Sequence, residues 1–113
     1  MSDESSLREP TDPELRLLRR LGARAHWNMP DWLEGLRVRS MEDGGMGSLL
    51  LLVRDASTTE RRFGGRVAEY EFTDVDGVPV LASLNVDRNG LPFELDVWKI
   101  DFQPLIRIPD ELA

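Results

Sequence analysis

The chain has 113 residues, 41% of them hydrophobic and 31% charged, a composition typical of one folded domain and not of a disordered chain. It contains no cysteine, which excludes disulfides, thiolate metal ligands and cysteine nucleophiles and fits a cytoplasmic location. Of the net charge of −7, −6 falls in residues 63–113; this charge disfavours nucleic acid, and no apolar run approaches the ~20 residues of a membrane span.

The N-terminal region predicts a tail followed by one helix. Residues 1–10 are polar and unpatterned, so we expect a flexible tail, with residues 11–113 forming the single domain. Thr11 and Glu14 match the capping box that starts a helix, and Pro13 fits its first turn. An apolar stripe at helical spacing follows, made of Leu15, Leu17, Leu18, Leu21 and Ala25. The other side carries arginines that predict a solvated face, with a ligand patch as the alternative: Arg16, Arg19, Arg20 and Arg24.

The only histidine, His26, lies at the predicted end of this helix beside Trp27. A histidine in that position typically caps the helix C-terminus, and no GxSxG elbow occurs in the chain. We therefore predict no enzyme activity, no cofactor and no metal ion. The alternative is a small enzyme or ligand-binding domain with a pocket between helix and sheet, near His26, Trp27 and Trp32.

The segments LRVRSME and SLLLLVRD predict two strands joined by the turn DGGMG. Residues 49–53 are apolar at every position, which predicts a strand covered on both faces. The glycine-rich DGGMGS has neither the lysine nor the following helix of a phosphate-binding loop, so it is interpreted as a structural turn. The polar stretch at residues 55–65 predicts a mobile loop.

Three further strands are predicted at RVAEYEF, VPVLASLNV and FELDV. For the first pair, a three-residue loop with left-handed Gly77 sets Phe72 opposite Val80 and Tyr70 opposite Ala82. A two-residue loop is rejected because it would place an outward glutamate opposite an inward alanine.

The second pair is joined through Asn89-Gly90, the strongest short hairpin signal in a sequence. A two-residue turn there aligns the inward residues in pairs: Phe93 with Val86, Leu95 with Leu84, and Val97 with Ala82.

These registers place acidic side chains on one outward face. Its predicted rows are Glu69, Ser83 and Asp96; Val67, Asn85 and Glu94; and Glu71, Leu81 and Trp98. Carboxylates of this kind are conceivable as an acid–base pair or a divalent-metal site, but side chains on an open twisted sheet are solvated and diverge.

The apolar period changes phase after Val97, which predicts a bulge near Val97-Trp98 or a strand that leaves the sheet. Trp98 is then either packed beneath the segment QPLIRIP or exposed as an anchor for a partner.

Three motifs make the chain resemble a family of small bacterial proteins catalogued as a domain of unknown function: DGGMGS, the ASLNVD hairpin and ELDxWKxDFxPLI. They lie within about residues 41–109. The resemblance implies a compact α+β fold and transfers no catalytic residue. Small acidic proteins of this sort often act as immunity partners of bacterial toxins.

We therefore predict an α+β fold in which an N-terminal helix packs on a five-stranded, mainly antiparallel β-meander. The predicted function is that of a non-enzymatic, acidic protein-binding module, specifically a cytoplasmic immunity protein that neutralises a basic bacterial toxin by occluding it. A homo-oligomeric structural protein, paired through an edge strand, is a further alternative. The predicted partner-binding residues are Glu69, Glu71, Asn85, Glu94, Asp96 and Trp98.

Overall fold

A computed structural model of the chain describes residues 7–27, 32–54 and 61–112. Within these residues the architecture is α+β, with one helix and five strands. In chain order they are α1 (Asp12–Arg24), β1 (Arg37–Ser40), β2 (Leu49–Leu52), β3 (Phe63–Thr73), β4 (Pro79–Asp87) and β5 (Pro92–Lys99).

Helix α1 begins where the capping box predicts. The Thr11 side chain accepts a hydrogen bond from the Glu14 backbone N–H, and the Glu14 carboxylate accepts one from the Thr11 N–H. The helix buries Leu17, Leu18 and Leu21, so one apolar stripe joins α1 to the core of the sheet.

The other end of α1 closes at His26, as the cap interpretation predicted. Its backbone N–H donates to Ala23, the Trp27 N–H donates to Gly22, and His26 takes the left-handed conformation with φ 59°. This is the Schellman arrangement, with histidine at the position that glycine usually occupies.

The predicted flexible tail lies partly outside the described residues. Within it, Arg8 forms an antiparallel bridge with Val38 on β1, and its guanidinium donates to both carboxylate oxygens of Glu14 at 2.9 and 3.0 Å. Flexibility of residues 1–10 stays a prediction, although Arg8 itself joins the tail to both β1 and α1.

The five strands form one antiparallel sheet in the order β1-β2-β5-β4-β3. This order corrects the predicted meander, in which every strand would lie beside its neighbour in sequence. The link from β2 to β3 crosses to the far edge of the sheet, and two hairpins then return the chain until β5 lies against β2. The fifth strand is therefore the central one.

The side of the sheet that faces α1 carries the core, and the C-terminal segment shares this side. Leu105, Ile108 and Leu112 pack against the core cluster, while the guanidiniums of Arg16 and Arg20 hold carbonyl oxygens of the segment. Strand β2 is fully buried at Leu49 and Leu51 and half-buried at the alternate positions, so its predicted coverage on both faces is only partial.

The hairpin between β3 and β4 has the predicted loop and register. Gly77 is left-handed with φ 85°, and its N–H donates to Asp74. Phe72 lies opposite Val80 and Tyr70 opposite Ala82. Further back the register slips: Val67 is bulged, and Arg66 instead of Val67 lies opposite Asn85. The strand also begins at Phe63, inside the stretch predicted as a mobile loop, of which residues 55–60 lie outside the described residues.

The hairpin between β4 and β5 has the predicted inner register but a different turn. Gly90 alone is left-handed, and Asp87 pairs with Leu91 across a three-residue loop. The Asp87 carboxylate also accepts hydrogen bonds from the N–H groups of Asn89 and Leu91, which favours this loop over the predicted two-residue turn.

A bulge at Phe93 then compensates for the longer loop. Val86 therefore lies opposite Pro92 and not opposite Phe93, while the pairs Leu84–Leu95 and Ala82–Val97 agree with the prediction.

The predicted bulge near Val97-Trp98 is wrong. The pairing continues without interruption through Leu81–Trp98 to Val80–Lys99. The apolar period changes phase because position 99 faces the core and carries a lysine, which is only 1% exposed. At this inward position of β5 the chain therefore carries a buried charge and not an apolar residue.

Candidate functional site

The outer sheet face, defined here as the side of β3, β4 and β5 turned away from α1, carries the predicted site residues. Two of its rows agree with the prediction, since Ser83 pairs with both Glu69 and Asp96, and Leu81 pairs with both Glu71 and Trp98. The third row is corrected by the bulge in β3 and extends across all five strands as Arg39, Leu50, Glu94, Asn85 and Arg66.

The acidic side chains of this face differ in how free they are. Glu69 forms an ion pair with Arg66 at 2.8 Å, and Asp96 accepts a long hydrogen bond of 3.4 Å from the Ser48 hydroxyl. Glu71 is exposed, whereas Glu94 is half-buried. Asn85 is only 7% exposed, so it offers a partner little surface and mainly separates the carboxylates.

Trp98 is exposed and lies at one end of the outer sheet face. It is 44% exposed, and its ring packs on that of Phe102, 67% exposed, with the centroids 5.9 Å apart. The segment QPLIRIP does not cover it, because Leu105 turns to the core and donates its N–H to Gly45. Of the two interpretations left open by the sequence, the structure has the exposed one.

Phe102 is held in an uncommon backbone conformation. Its φ is 64°, a left-handed value that bulky residues rarely adopt. The Phe102 N–H donates to the Lys99 carbonyl, and the Gln103 N–H donates to the Asp101 carboxylate, which together close a tight turn. The turn exposes the Phe102 ring to solvent and packs it against Trp98. Backbone strain of this kind often marks a functional segment.

Beneath this turn lies an ionic cluster centred on Lys99. Its Nζ donates to Asp74 Oδ2 at 2.9 Å, to Asp76 Oδ2 at 2.7 Å and to the Pro104 carbonyl at 3.3 Å. Burial alone would lower the pKa of Lys99, but the carboxylates of Asp76 and Asp74 raise it above its ordinary value. Lys99 is therefore charged and immobilised.

Asp74 joins this cluster to the C-terminal segment. Its carboxylate accepts hydrogen bonds from the N–H groups of Ile106, Arg107 and Val75 as well as from Lys99. Burial by itself would raise the pKa of Asp74; the hydrogen bonds, that of Ile106 foremost, lower it instead to about 2. The segment that follows Trp98 is thus fixed from below.

A second buried pair, Arg61 with Asp87, lies at the opposite end of β5. Arg61 Nε donates to Asp87 Oδ2 at 2.9 Å, its two Nη groups donate to the carbonyls of Leu51 and Pro92, and its guanidinium lies 4.8 Å from the centroid of the Phe93 ring. Burial raises the pKa of Asp87, but hydrogen bonds, from the Leu91 N–H above all and from Arg61, lower it below its ordinary value.

Sequence reasoning missed both ion pairs and the role of Phe102. It assigned outward positions to Glu69, Glu71, Glu94 and Asp96 and assigned no face to Asp74, Asp87 or Lys99. One signal was present: Lys99 is the single lysine of the chain, among thirteen arginines. No local pattern marks Asp74 or Asp87 as buried, because their partners lie 25 and 26 residues away.

The alternative site near His26 is not assembled by the described residues. His26 is exposed, and Trp27 packs edge-to-face on Trp32 with ring centroids 5.1 Å apart. Residues 28–31, between the two tryptophans, lie outside the described residues. A cavity of about 370 Å³ does lie between α1 and the start of β1, and it is lined by Leu15, Leu33 and Leu36 and not by His26.

Among residues 7–27, 32–54 and 61–112, no group of three or more histidine, aspartate or glutamate side chains could hold a metal ion. Over the same residues, no helix combines the length and apolar character needed to cross a membrane.

The fold and this face define a small α+β domain in which α1 covers one side of an antiparallel sheet and the other side carries exposed acidic and aromatic side chains. A family model described as a domain of unknown function, DUF6984, matches residues 7–109. The protein belongs to this family. No curated protein and no solved structure matches the chain.

Proposed function

We propose that the protein is a binding module that recognises another protein through the outer sheet face, without catalytic chemistry. The observation that carries this proposal is the exposed pair of Trp98 and Phe102, held by a strained turn above the Lys99 cluster. Aromatic residues fixed before binding lose little conformational entropy on contact, and such residues dominate the energetics of protein interfaces.

Charge gives the chemistry of the partner. Glu71 lies in the same row as Trp98 and Asp96 lies in the neighbouring row, while Glu69 and Glu94 lie further along the same face. Arg39 and Arg66 interrupt the acidity only at the outer strands. A partner with arginine or lysine side chains around an apolar pocket would complement this arrangement, with the pocket receiving Trp98.

The specific form of the proposal is an immunity protein of the cytoplasm that neutralises a bacterial toxin by occluding it. Small size, an acidic chain and a preorganised anchor support it, since such an inhibitor needs only to cover a basic surface tightly. In this role the carboxylates would speed encounter, and Trp98 would slow dissociation.

The test begins with the intact protein as bait in a lysate of the source bacterium, followed by affinity measurement with the purified partner. Capture alone decides nothing. We expect Trp98→Ala to weaken binding about 30-fold, the ~2 kcal/mol of an interface hot spot. The double variant Glu94→Lys/Asp96→Lys should slow association and flatten its salt dependence.

The control reverses an exposed charge in the C-terminal segment, on the α1 side of the sheet, Glu111→Lys, and should leave affinity unchanged. Unchanged affinity in both outer-face variants would reject the proposal. Sedimentation of the free protein provides a second test. If the protein is a dimer and Trp98→Ala dissociates it, a second copy of the chain binds the outer sheet face, and the proposal of a different protein partner is rejected.

A further inference from the structure

A basic pocket lies on α1, away from the outer sheet face. Arg16, Arg19 and Arg20 follow one another at the i, i+3 and i+4 spacing that places side chains on the same side of a helix. With Ala23 and Leu112 they line a pocket of about 360 Å³. The sequence had predicted these arginines as a solvated face, with a ligand patch as the alternative.

Two of the three guanidiniums are held in place by the protein itself. Arg16 Nη2 donates to the Pro109 carbonyl at 3.0 Å, and Arg20 Nη2 donates to the Leu112 carbonyl at 2.6 Å. The Arg20 guanidinium also lies 5.6 Å from the centroid of the Tyr70 ring. These neutral partners fix the side chains without neutralising their charge.

The positive charge of the pocket is poorly compensated. Arg19 makes no ion pair or hydrogen bond with any residue that the structure describes, and Arg16 Nε is shielded from water without an acceptor among the same residues. Asp110 approaches Arg16 at 3.6 Å, but it is 77% exposed and is shared with Arg107.

We infer that this pocket binds a phosphate group. The planar guanidinium group matches the geometry of phosphate oxygens. Three arginines within five residues of the helix also carry more positive charge than a single carboxylate would balance, which favours a phosphate. In a chain of net charge −7, three neighbouring arginines, of which only Arg16 forms an ion pair among the described residues, make a local positive site for an anion. Phosphate binding at this pocket does not depend on the proposed function, because the pocket and the outer sheet face lie on different sides of the sheet.

The experiment is a titration of the full chain with inorganic phosphate, followed by NMR of the backbone amides, with chloride replaced to keep ionic strength constant. We expect shifts at residues 16, 19, 20, 23 and 112, with a dissociation constant on the order of 1 mM. Arg19→Gln, an exposed change that leaves the C-terminal contacts intact, should weaken binding about tenfold. Arg88→Gln, an exposed arginine in the β4–β5 loop, is the control and should bind as the parent does.

Three results would overturn the inference. The first is equal phosphate affinity in Arg19→Gln and the parent, and the second is an equal response to chloride. The third is a stronger response at the same residues to succinate, which would assign the pocket to carboxylates. The dispersion of the amide spectrum shows whether each variant is folded before its titration is read.

Discussion

A buried ion pair lies at each end of strand β5. One pair donates hydrogen bonds to backbone carbonyls, and the other accepts them from backbone N–H groups. At the start of β5, Arg61 reaches across from outside the strand and donates to the backbone carbonyls of Leu51 and Pro92. At its finish, the carboxylate of Asp74 accepts hydrogen bonds from the backbone N–H groups of Ile106 and Arg107, while Lys99 of the strand itself supplies the balancing charge.

The difference shows why ionic side chains are buried in so small a domain. Each pair lies near an end of β5, and each also forms hydrogen bonds with backbone groups there: carbonyl oxygens at one end, and N–H groups of the C-terminal segment at the other. The charge of the side chain that contacts the backbone matches the backbone groups present: the cation Arg61 donates to carbonyl oxygens, and the anion Asp74 accepts from N–H groups. Only the second end also supports an exposed aromatic pair.

The largest expected effect comes from removing the anion at the Lys99 end. Asp74→Ala leaves the partly exposed Asp76 as the one carboxylate that pairs with Lys99 among the described residues, and it frees two backbone N–H groups of the C-terminal segment. We expect a loss of about 3–5 kcal/mol in the free energy of unfolding, measured in urea. Glu111→Ala, an exposed carboxylate, should stay within about 0.5 kcal/mol of the parent. A loss below about 1 kcal/mol for Asp74→Ala would mean that this end is not held by its ion pair.

At the Arg61 end, the geometry of the fork matters more than its charge. Arg61→Lys keeps the cation but cannot reach Asp87, Leu51 and Pro92 together, so we expect a loss of about 2 kcal/mol. Hydrogen exchange at the amides of β2 should accelerate as well. The neighbouring Arg62→Lys is the control, because Arg62 is exposed. Equal stability of the two variants would show that charge alone suffices at this end.

Acid should open the Lys99 end over a defined range of pH. The pKa of Asp74 falls from an ordinary 3.8 to about 2 in the folded protein, so folding favours its ionised form. Its contribution to stability is therefore complete above about pH 4 and lost as the pH falls towards 2. Urea midpoints measured from pH 5 to pH 2 should decline for the parent, and Asp74→Asn should decline less. Parallel curves would contradict the assignment.

The smallest effects on stability distinguish the two turns that flank β5. Gly90 and Phe102 are both left-handed, with φ 84° and 64°, but only Phe102 has a Cβ atom, which is sterically strained in this conformation. Gly90→Ala should cost about 1 kcal/mol, since a Cβ there meets open space and only the backbone is strained.

Phe102→Gly should be nearly neutral in stability, because the relieved strain of about 1 kcal/mol offsets the lost ring contact with Trp98. Binding of the partner should respond in the opposite way, about tenfold weaker in Phe102→Gly and unchanged in Gly90→Ala. If each of the two variants, Gly90→Ala and Phe102→Gly, changed stability and binding in parallel, the turn at Gly90 could not be called structural and the turn at Phe102 could not be called a recognition turn.

Much of the outer sheet face was predictable because alternation along a strand is local. Once Gly77 set the loop between β3 and β4, the positions of Glu69 and Glu71 followed from a period of two. The row containing Arg66 was not predictable, since the bulge at Val67 has no sequence signature of its own. Nor was the turn at Asn89-Gly90, where the Asp87 carboxylate competes for the N–H groups that define the loop.

By itself, the sequence determined the features that depend on neighbours in the chain: the capping box at Thr11, the cap at His26, the left-handed turn at Gly77 and the inward–outward alternation of β4. The tertiary structure alone decided that β5 lies between β2 and β4, that Lys99 faces the core and that Phe102 meets Trp98. The physical reason is that a buried charge is tolerated only through partners brought from distant segments, and hydrophobic periodicity contains no record of those partners.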